Sequence, residues 1–365
     1  MEHKRPELRQ VLTIGVFIGI IGVFSVMNFV TKPPAILPSE RRAPAQLPAF
    51  TAKSVISGEF MKRFENFAAD RFVFRDSFRT LRAATVFGVF LQTDKSGLYF
   101  GASGAGAFKR LDPIAAAQTA AKIKKVTELL DDCVVYYSIV PDKSIYAGKY
   151  LPGFDPAMAE PILAGILDDL TYIPLTDCLN SDSFYRTDIH WDQIRIDSVA
   201  GRLCDAMGAP LDLSGYADMT AGEFRGVYAG QMALPMTADP LAYKTCPALG
   251  AKILNEQTLQ LEDCPVYDVE AFHGLDPYDI FLHGAQALVV LENDTLPERA
   301  LYLFRDSFSS SLAPLLAGAY SKVTLIDLRY IDLRVLDQFV EFTPGSDVLF
   351  LYGSQILNNP SVLKA

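Results

Sequence analysis

Signatures of metal and nucleotide chemistry are missing from this sequence. It has no HExxH, no P-loop, and no GxGxxG between a strand and a helix, which removes the zincin, phosphate-loop and dinucleotide-binding readings. The glycine-rich run at residues 101–106 lacks a lysine and reads as a flexible loop. Histidine is scarce, with 4 in 365 residues, and no second histidine stands near His190. A zinc-type ligand set is therefore not expected, and neither is a cofactor. Cysteine is equally sparse: Cys133, Cys178, Cys204, Cys246 and Cys264 are an odd number without a CxxC. At least one thiol must stay free, and no disulfide framework is expected, although pairing of Cys246 with Cys264 stays open. Positive charge is in deficit, 33 Lys and Arg against 43 Asp and Glu for a net charge of −10. That balance argues against a nucleic-acid partner and against non-specific contact with an anionic membrane surface.

What is present begins with an apolar segment. Residues 11–30 carry no charge, and about 20 apolar residues suffice to cross a bilayer core. Lys4, Arg5 and Arg9 precede the run and favour a cytoplasmic N-terminus, while Lys32, Arg41 and Arg42 beyond it count the other way. A cleaved signal peptide would carry a shorter apolar core of about 7–15 residues and a small-x-small site. The expected layout is a cytoplasmic tail (1–10), a membrane anchor (11–31), a spacer (32–50) and one extracytoplasmic domain (51–365). Five prolines between residues 33 and 48 suit a semi-rigid, extended spacer.

Past the spacer, aromatics at three- and four-residue intervals from Phe60 toward Leu81 read as helix. This stripe is expected to pack against the main domain, because acids interrupt its basic residues. Apolar strand-like runs then alternate with helical ones. Strands are expected at 134–140, 172–175, 287–291, 300–304, 323–326 and 348–352. Helices are expected at 115–130, 161–170, 191–207, 309–316 and 333–340. Short continuous apolar runs separated by helices mean an α/β fold with a mostly parallel sheet covered on both faces. Residues 209–285 read as an irregular insertion over that sheet.

Two blocks bear chemistry: Thr187-Asp188-Ile189-His190-Trp191 and Phe304-Arg305-Asp306-Ser307-Phe308. Ser307 follows an apolar strand and precedes a helix, the position at which parallel α/β sheets bind ligands. Helix capping by Asp306, Ser307 or Ser309 is the bland alternative. Asp188 and His190, two apart in an extended segment, project to one face about 6–7 Å apart. A carboxylate so placed fixes an imidazole tautomer while the other ring nitrogen meets a hydroxyl. An N-cap at Thr187 or Asp188 competes with that reading. His273 and His283 are the rival bases, neither with an acid two residues before it. Tyr185, Tyr228 and Tyr278 are candidates to line a sugar-stacking groove.

Five blocks in order carry a family resemblance. They are Phe64-Glu65-Asn66-Phe67 with the run from Asp70 to Asp76, Tyr137-Ser138-Ile139-Val140-Pro141-Asp142-Lys143, the Asp188 block, the Ser307 block, and Leu325-Ile326-Asp327-Leu328-Arg329-Tyr330. Over residues 58–355 the chain resembles the DHHW family, membrane-anchored bacterial proteins with an SGNH-hydrolase-like fold, and more distantly the periplasmic alginate O-acetyltransferases. The resemblance implies Ser307 as nucleophile, His190 as general base and Asp188 as its orienting acid. It further implies a glycan or polysaccharide acceptor and a membrane partner that exports acyl groups. Ile189 departs from the first histidine of the Asp-His-His-Trp motif, and Arg305 stands where SGNH enzymes have glycine. The expected activity is serine-dependent O-acyl transfer or ester hydrolysis on a cell-surface glycan. A non-catalytic glycan-binding or envelope-assembly protein is the alternative, since fold alone does not fix function.

Overall fold

The computed structural model describes residues 8–101, 104–148 and 154–365. The charges at Lys4 and Arg5, and two residues of the glycine-rich run, lie outside them. The chain forms two compact units, Met1–Leu91 and Gln92–Ala365.

The first unit is helical. Helix α1 (Leu8–Val30) is long and apolar enough to cross a membrane, and none of its residues is buried. It is followed by α2 (Ala52–Ile56), α3 (Glu59–Arg71) and α4 (Arg75–Ala84), the last running into a π-helical turn at Thr85–Val89. The proline-rich stretch is not extended throughout. Leu37 and Arg42 form a bridge, and Arg42 grips the buried Asp70 with two hydrogen bonds of 2.6 and 2.8 Å. The Arg42 guanidinium holds the Asp70 carboxyl below the usual carboxylate range. Arg75 pairs with Glu40 on the same hook. In the aromatic stripe Phe72, Phe74, Phe78 and Leu81 are exposed, and within this unit Phe72 and Phe78 pack on each other.

The second unit is a sheet wrapped by helices. A small antiparallel sheet comes first: β1 (Asp94–Lys95), β2 (Leu98–Gly101) and β3 (Gly104–Ala107). The glycine-rich run therefore contributes to a strand pair, with Leu98 facing Ala107. Next are α5 (Pro113–Thr127), β4 (Val134–Val140), α6 (Pro156–Ala164), β5 (Thr171–Tyr172) and α7 (Asp197–Ala206). Then follow β6 (Ala217–Phe224), α8 (Val227–Met232), β7 (Asp239–Thr245), β8 (Leu249–Leu254) and β9 (Leu261–Cys264). The chain ends with β10 (Leu288–Asn293), β11 (Ala300–Arg305), α9 (Phe308–Leu316), β12 (Lys322–Ile326), β13 (Asp347–Gly353) and α10 (Ser354–Leu357).

The main sheet has the order β5-β4-β13-β11-β12-β10-β8-β9. From β5 to β12 every pairing is parallel, and from β12 to β9 every pairing is antiparallel. Strand β11 sits in the parallel half between β13 and β12, with Phe304 facing Phe350 on one side and Ile326 on the other. Leu301 to Phe304 are buried on both faces, as a parallel strand covered by helices requires.

Other expectations change as well. Residues 209–285 carry four strands and a helix, and two of those strands extend the main sheet. The expected helix at 191–207 starts only at Asp197, because Trp191 bridges to Phe184. Residues 333–338 form a 3-10 helix. All five cysteines are free thiols.

Candidate active site

Ser307 lies one residue past Asp306 at the carboxyl end of β11, where α9 begins. The capping role belongs to its neighbour: Asp306 accepts a 3.0 Å hydrogen bond from the Phe308 amide and one of 2.7 Å from the Gly353 amide at the end of β13. Burial pushes the Asp306 carboxyl up, and those two amides pull it part of the way back. The Ser307 side chain makes no capping bond and is free for another partner.

That partner is His190, whose Nε2 lies 2.8 Å from Ser307 Oγ. Its Nδ1 lies 2.7 Å from Asp188 Oδ1. The three residues stand together in the order acid, imidazole, hydroxyl, with Asp188 and His190 buried and Ser307 half-buried. The local geometry differs from the extended segment expected. Residues 186–190 form a series of bends closed by the Phe184–Trp191 bridge and by the Tyr185 amide donating to the His190 carbonyl at 3.2 Å. Asp188 Oδ1 also accepts from the His190 amide at 3.1 Å. This Asx turn brings the carboxylate to the ring two residues on, by folding rather than by extension.

Long-range contacts hold the turn. Asp239 accepts from the Arg186 and Thr187 amides, each at 2.8 Å, and from the Thr187 hydroxyl. Asp188 Oδ2 accepts from the Val227 amide at 2.7 Å. Gly226 passes so close that a Cβ there would lie 2.2 Å from the Asp188 Cβ, so only glycine fits. Lys143 is buried and donates to the Tyr185 and Asp188 carbonyls at 2.7 and 3.2 Å. Burial pulls its ammonium down to about 8. Below the imidazole, Tyr278 stacks on His190 with ring centroids 3.8 Å apart, and its hydroxyl reaches Ser311 Oγ at 2.9 Å. Trp191 Nε1 donates to the Phe308 carbonyl at 3.0 Å and to Ser311 Oγ at 2.9 Å. The turn carrying the histidine and the helix carrying the serine are thus tied at Ser311.

Arg305 is no substitute for a glycine in the turn. It lies buried, donates to Ser310 Oγ at 2.5 Å and to the Gln286 carbonyl at 3.2 Å, and stands 3.9 Å from Asp327. Arg329 also pairs with Asp327, at 2.6 Å. A buried charge so compensated holds a strand end in place more than it stabilises the fold. Ile189 packs beside the pair at 9% exposure.

The rivals are elsewhere. His283 pairs with Asp268 at 3.2 Å and meets the Pro265 carbonyl through Nε2 at 2.8 Å, a structural arrangement. His273 lies in a 3-10 helix against Phe272. Tyr185, Tyr228 and Tyr278 present no open ring face for a sugar to stack on, since each is 5% exposed or less. Tyr185 meets Phe224 edge-on, Tyr278 stacks on His190, and the Lys143 ammonium lies over the Tyr228 ring. Among the described residues no cluster of three metal-ligating side chains occurs.

No family model and no curated protein matches the chain. Solved structures do. A DHHW family protein from Eubacterium siraeum aligns with a TM-score of 0.58 at 19% identity, over 74% of this chain and 94% of that one. PatB1 of Bacillus cereus, solved with a sulfonyl adduct, aligns with a TM-score of 0.55 at 17% identity, over 71% and 95%. The O-acetyltransferase domain of Pseudomonas putida AlgJ reaches 0.45 at 14% identity, over 72% and 93%. The chain has the fold of the first two. The expected resemblance to the DHHW family thus extends to three dimensions.

Proposed function

We propose that the protein is a membrane-anchored, extracytoplasmic serine O-acyltransferase or esterase of SGNH-like type, acting on a cell-surface or secreted glycan. The observation that carries this reading is the 2.8 Å contact between Ser307 Oγ and His190 Nε2, continued at 2.7 Å to Asp188. Asp188 accepts the Nδ1 proton, so Nε2 is left as the base facing the hydroxyl. The hydroxyl oxygen attacks the donor's carbonyl carbon while its proton moves to Nε2. Collapse of the tetrahedral intermediate breaks the bond to the leaving oxygen, which takes that proton. The acyl-serine is then attacked by a sugar hydroxyl or water, deprotonated by the same nitrogen, and the serine proton is restored.

The Ser307 amide sits at the start of α9, where the helix dipole favours developing negative charge. The next two amides are already used, that of Phe308 by Asp306 Oδ1 and that of Ser309 by the Asp306 carbonyl. This leaves the Ser307 amide as the oxyanion donor contributed by this helix. An outward-facing acyltransferase requires an activated acyl group from within, so a membrane protein that exports acyl groups is the implied partner. The test is turnover of an activated acetyl ester by the full chain in detergent and by Ser307→Ala. Loss of at least a thousandfold in the variant supports the reading, and equal turnover sinks it.

A further inference from the structure

Helix α4 and the π-helical turn after it expose more apolar surface than a solvated helix tolerates. Phe74, Phe78, Leu81, Val89, Phe90 and Leu91 range from 43% to 77% exposed. Phe78 and Leu81, three residues apart, share one face of α4, Phe74 stands just before its first turn as the N-cap residue, and Val89 ends the π-helical turn. Charged residues mark another face. Arg75 pairs with Glu40, and Arg79 binds Asp76 at 3.3 Å and Ser39 at 2.8 Å. Arg75 and Arg79 therefore turn toward the 37–42 hook, and the residues of the stripe itself carry no charge.

The same helix is fastened to α1. Phe24 stacks on Phe72 at 5.7 Å between ring centroids and meets Phe78 at 5.8 Å, and Phe72 and Phe78 are themselves 5.9 Å apart. Asn28 Oδ1 accepts from the Val73 amide at 2.7 Å. Phe24 stands six residues before Val30, the end of the uncharged run. At 1.5 Å per residue that places it about 9 Å inside the end of the run. A ring stacked on Phe24 shares its depth. An interfacial helix buries its apolar face about 5–10 Å into the boundary between headgroups and acyl chains, and the two depths agree.

We propose that α4 and its π-helical extension lie in the outer interface of the bilayer beside α1, with the Phe74–Phe78–Leu81 face among the lipid chains. This rests on the reading of residues 11–30 as a retained membrane anchor. The partner is the lipid itself, engaged by apolar contact without a requirement for anionic headgroups. The surface holds the first unit flat on the membrane in addition to tethering it.

Tryptophan fluorescence in phosphatidylcholine vesicles tests this. Trp191 is the single tryptophan and is fully buried, so the unmodified full chain supplies a baseline insensitive to lipid. Phe74→Trp and Leu81→Trp place a reporter on the stripe, and Asp76→Trp places one on the opposite, exposed face. Brominated acyl chains are expected to remove most of the added emission of Phe74→Trp and Leu81→Trp and to leave that of Asp76→Trp. Equal, weak quenching at all three positions, in protein that survives an alkaline carbonate wash on the vesicles, overturns the interfacial helix and leaves the anchor standing. Release of the unmodified protein by that wash removes the anchor and the inference together. Quenching at all three positions refutes the one-sided orientation.

Discussion

Replacing Asp188 by asparagine changes one oxygen into an amide and should uncouple the site while sparing its shape. Both oxygens of Asp188 accept: Oδ1 from the Nδ1–H and amide of His190, at 2.7 and 3.1 Å, and Oδ2 from the Val227 amide at 2.7 Å. Asparagine has one accepting oxygen. If that oxygen faces His190, the new amide opposes the Val227 N–H. If it faces Val227, the new amide opposes the His190 N–H and also donates to Nδ1. The imidazole must then carry its proton on Nε2 and point a donor at Ser307, which removes the base. A buried group left in such a conflict costs about 1–3 kcal/mol. The wrong tautomer alone has cost about 10⁴-fold in kcat in a serine protease, which is near 5 kcal/mol. For Asp188→Asn we predict a loss of about 10³–10⁴-fold in kcat for an activated acetyl ester, with thermal unfolding shifted far less than catalysis. Turnover within tenfold of the unmodified protein would refute the role assigned to Asp188.

Other consequences follow from the same contacts. Gly226→Ala puts a Cβ 2.2 Å from that of Asp188, and a displacement of about 1 Å there should lower kcat about 10²-fold while urea unfolding stays cooperative. Lys143→Met strands the two carbonyls that hold the turn and removes a positive charge near Asp188. The prediction is lower stability, together with an acidic limb of the pH–rate profile moved to higher pH; an unmoved limb would leave Lys143 a purely structural role. Burial pushes the Asp192 carboxyl up to about 6 from its ordinary 3.8. Between those values the folded chain keeps a proton that the unfolded chain has released, so this group's contribution to stability falls as pH rises through that window. Asp192→Asn should flatten the fall, amounting to at most about 3 kcal/mol, in urea midpoints measured from pH 3.8 to 6.

Much of the central fold is legible in the sequence, because strands buried on both faces must be continuous apolar runs. Val134–Val140, Ala300–Arg305 and Asp347–Gly353 are of that kind. The antiparallel edge is not legible. Strands β8 and β9 carry Lys252, Glu262 and Asp263 and are only partly buried, so their period-two signal dissolves into what looks like loop. A run of apolar residues also says nothing of strand direction, which is why the antiparallel β10 reads like the strands of the parallel half. At the site, Asp188, His190 and Ser307 are recognisable by residue type and local spacing. Their supports are not. Tyr278, Asp239 and Lys143 reach the turn from distant parts of the chain, and no local pattern marks a side chain for a partner so far away. Gly226 left no signal either, since its requirement comes from Asp188 across the fold. The exposed stripe on α4 shows the converse: its period is plain in the sequence, but a helical period does not say what covers the apolar face.

The most direct test of the central claim is the mass of the protein after exposure to an activated acetyl ester or a sulfonyl fluoride, followed by peptide mapping. One acyl or sulfonyl group on Ser307, absent in His190→Ala under the same conditions, is the predicted result. An unmodified Ser307, or labelling that persists undiminished in His190→Ala, would contradict it.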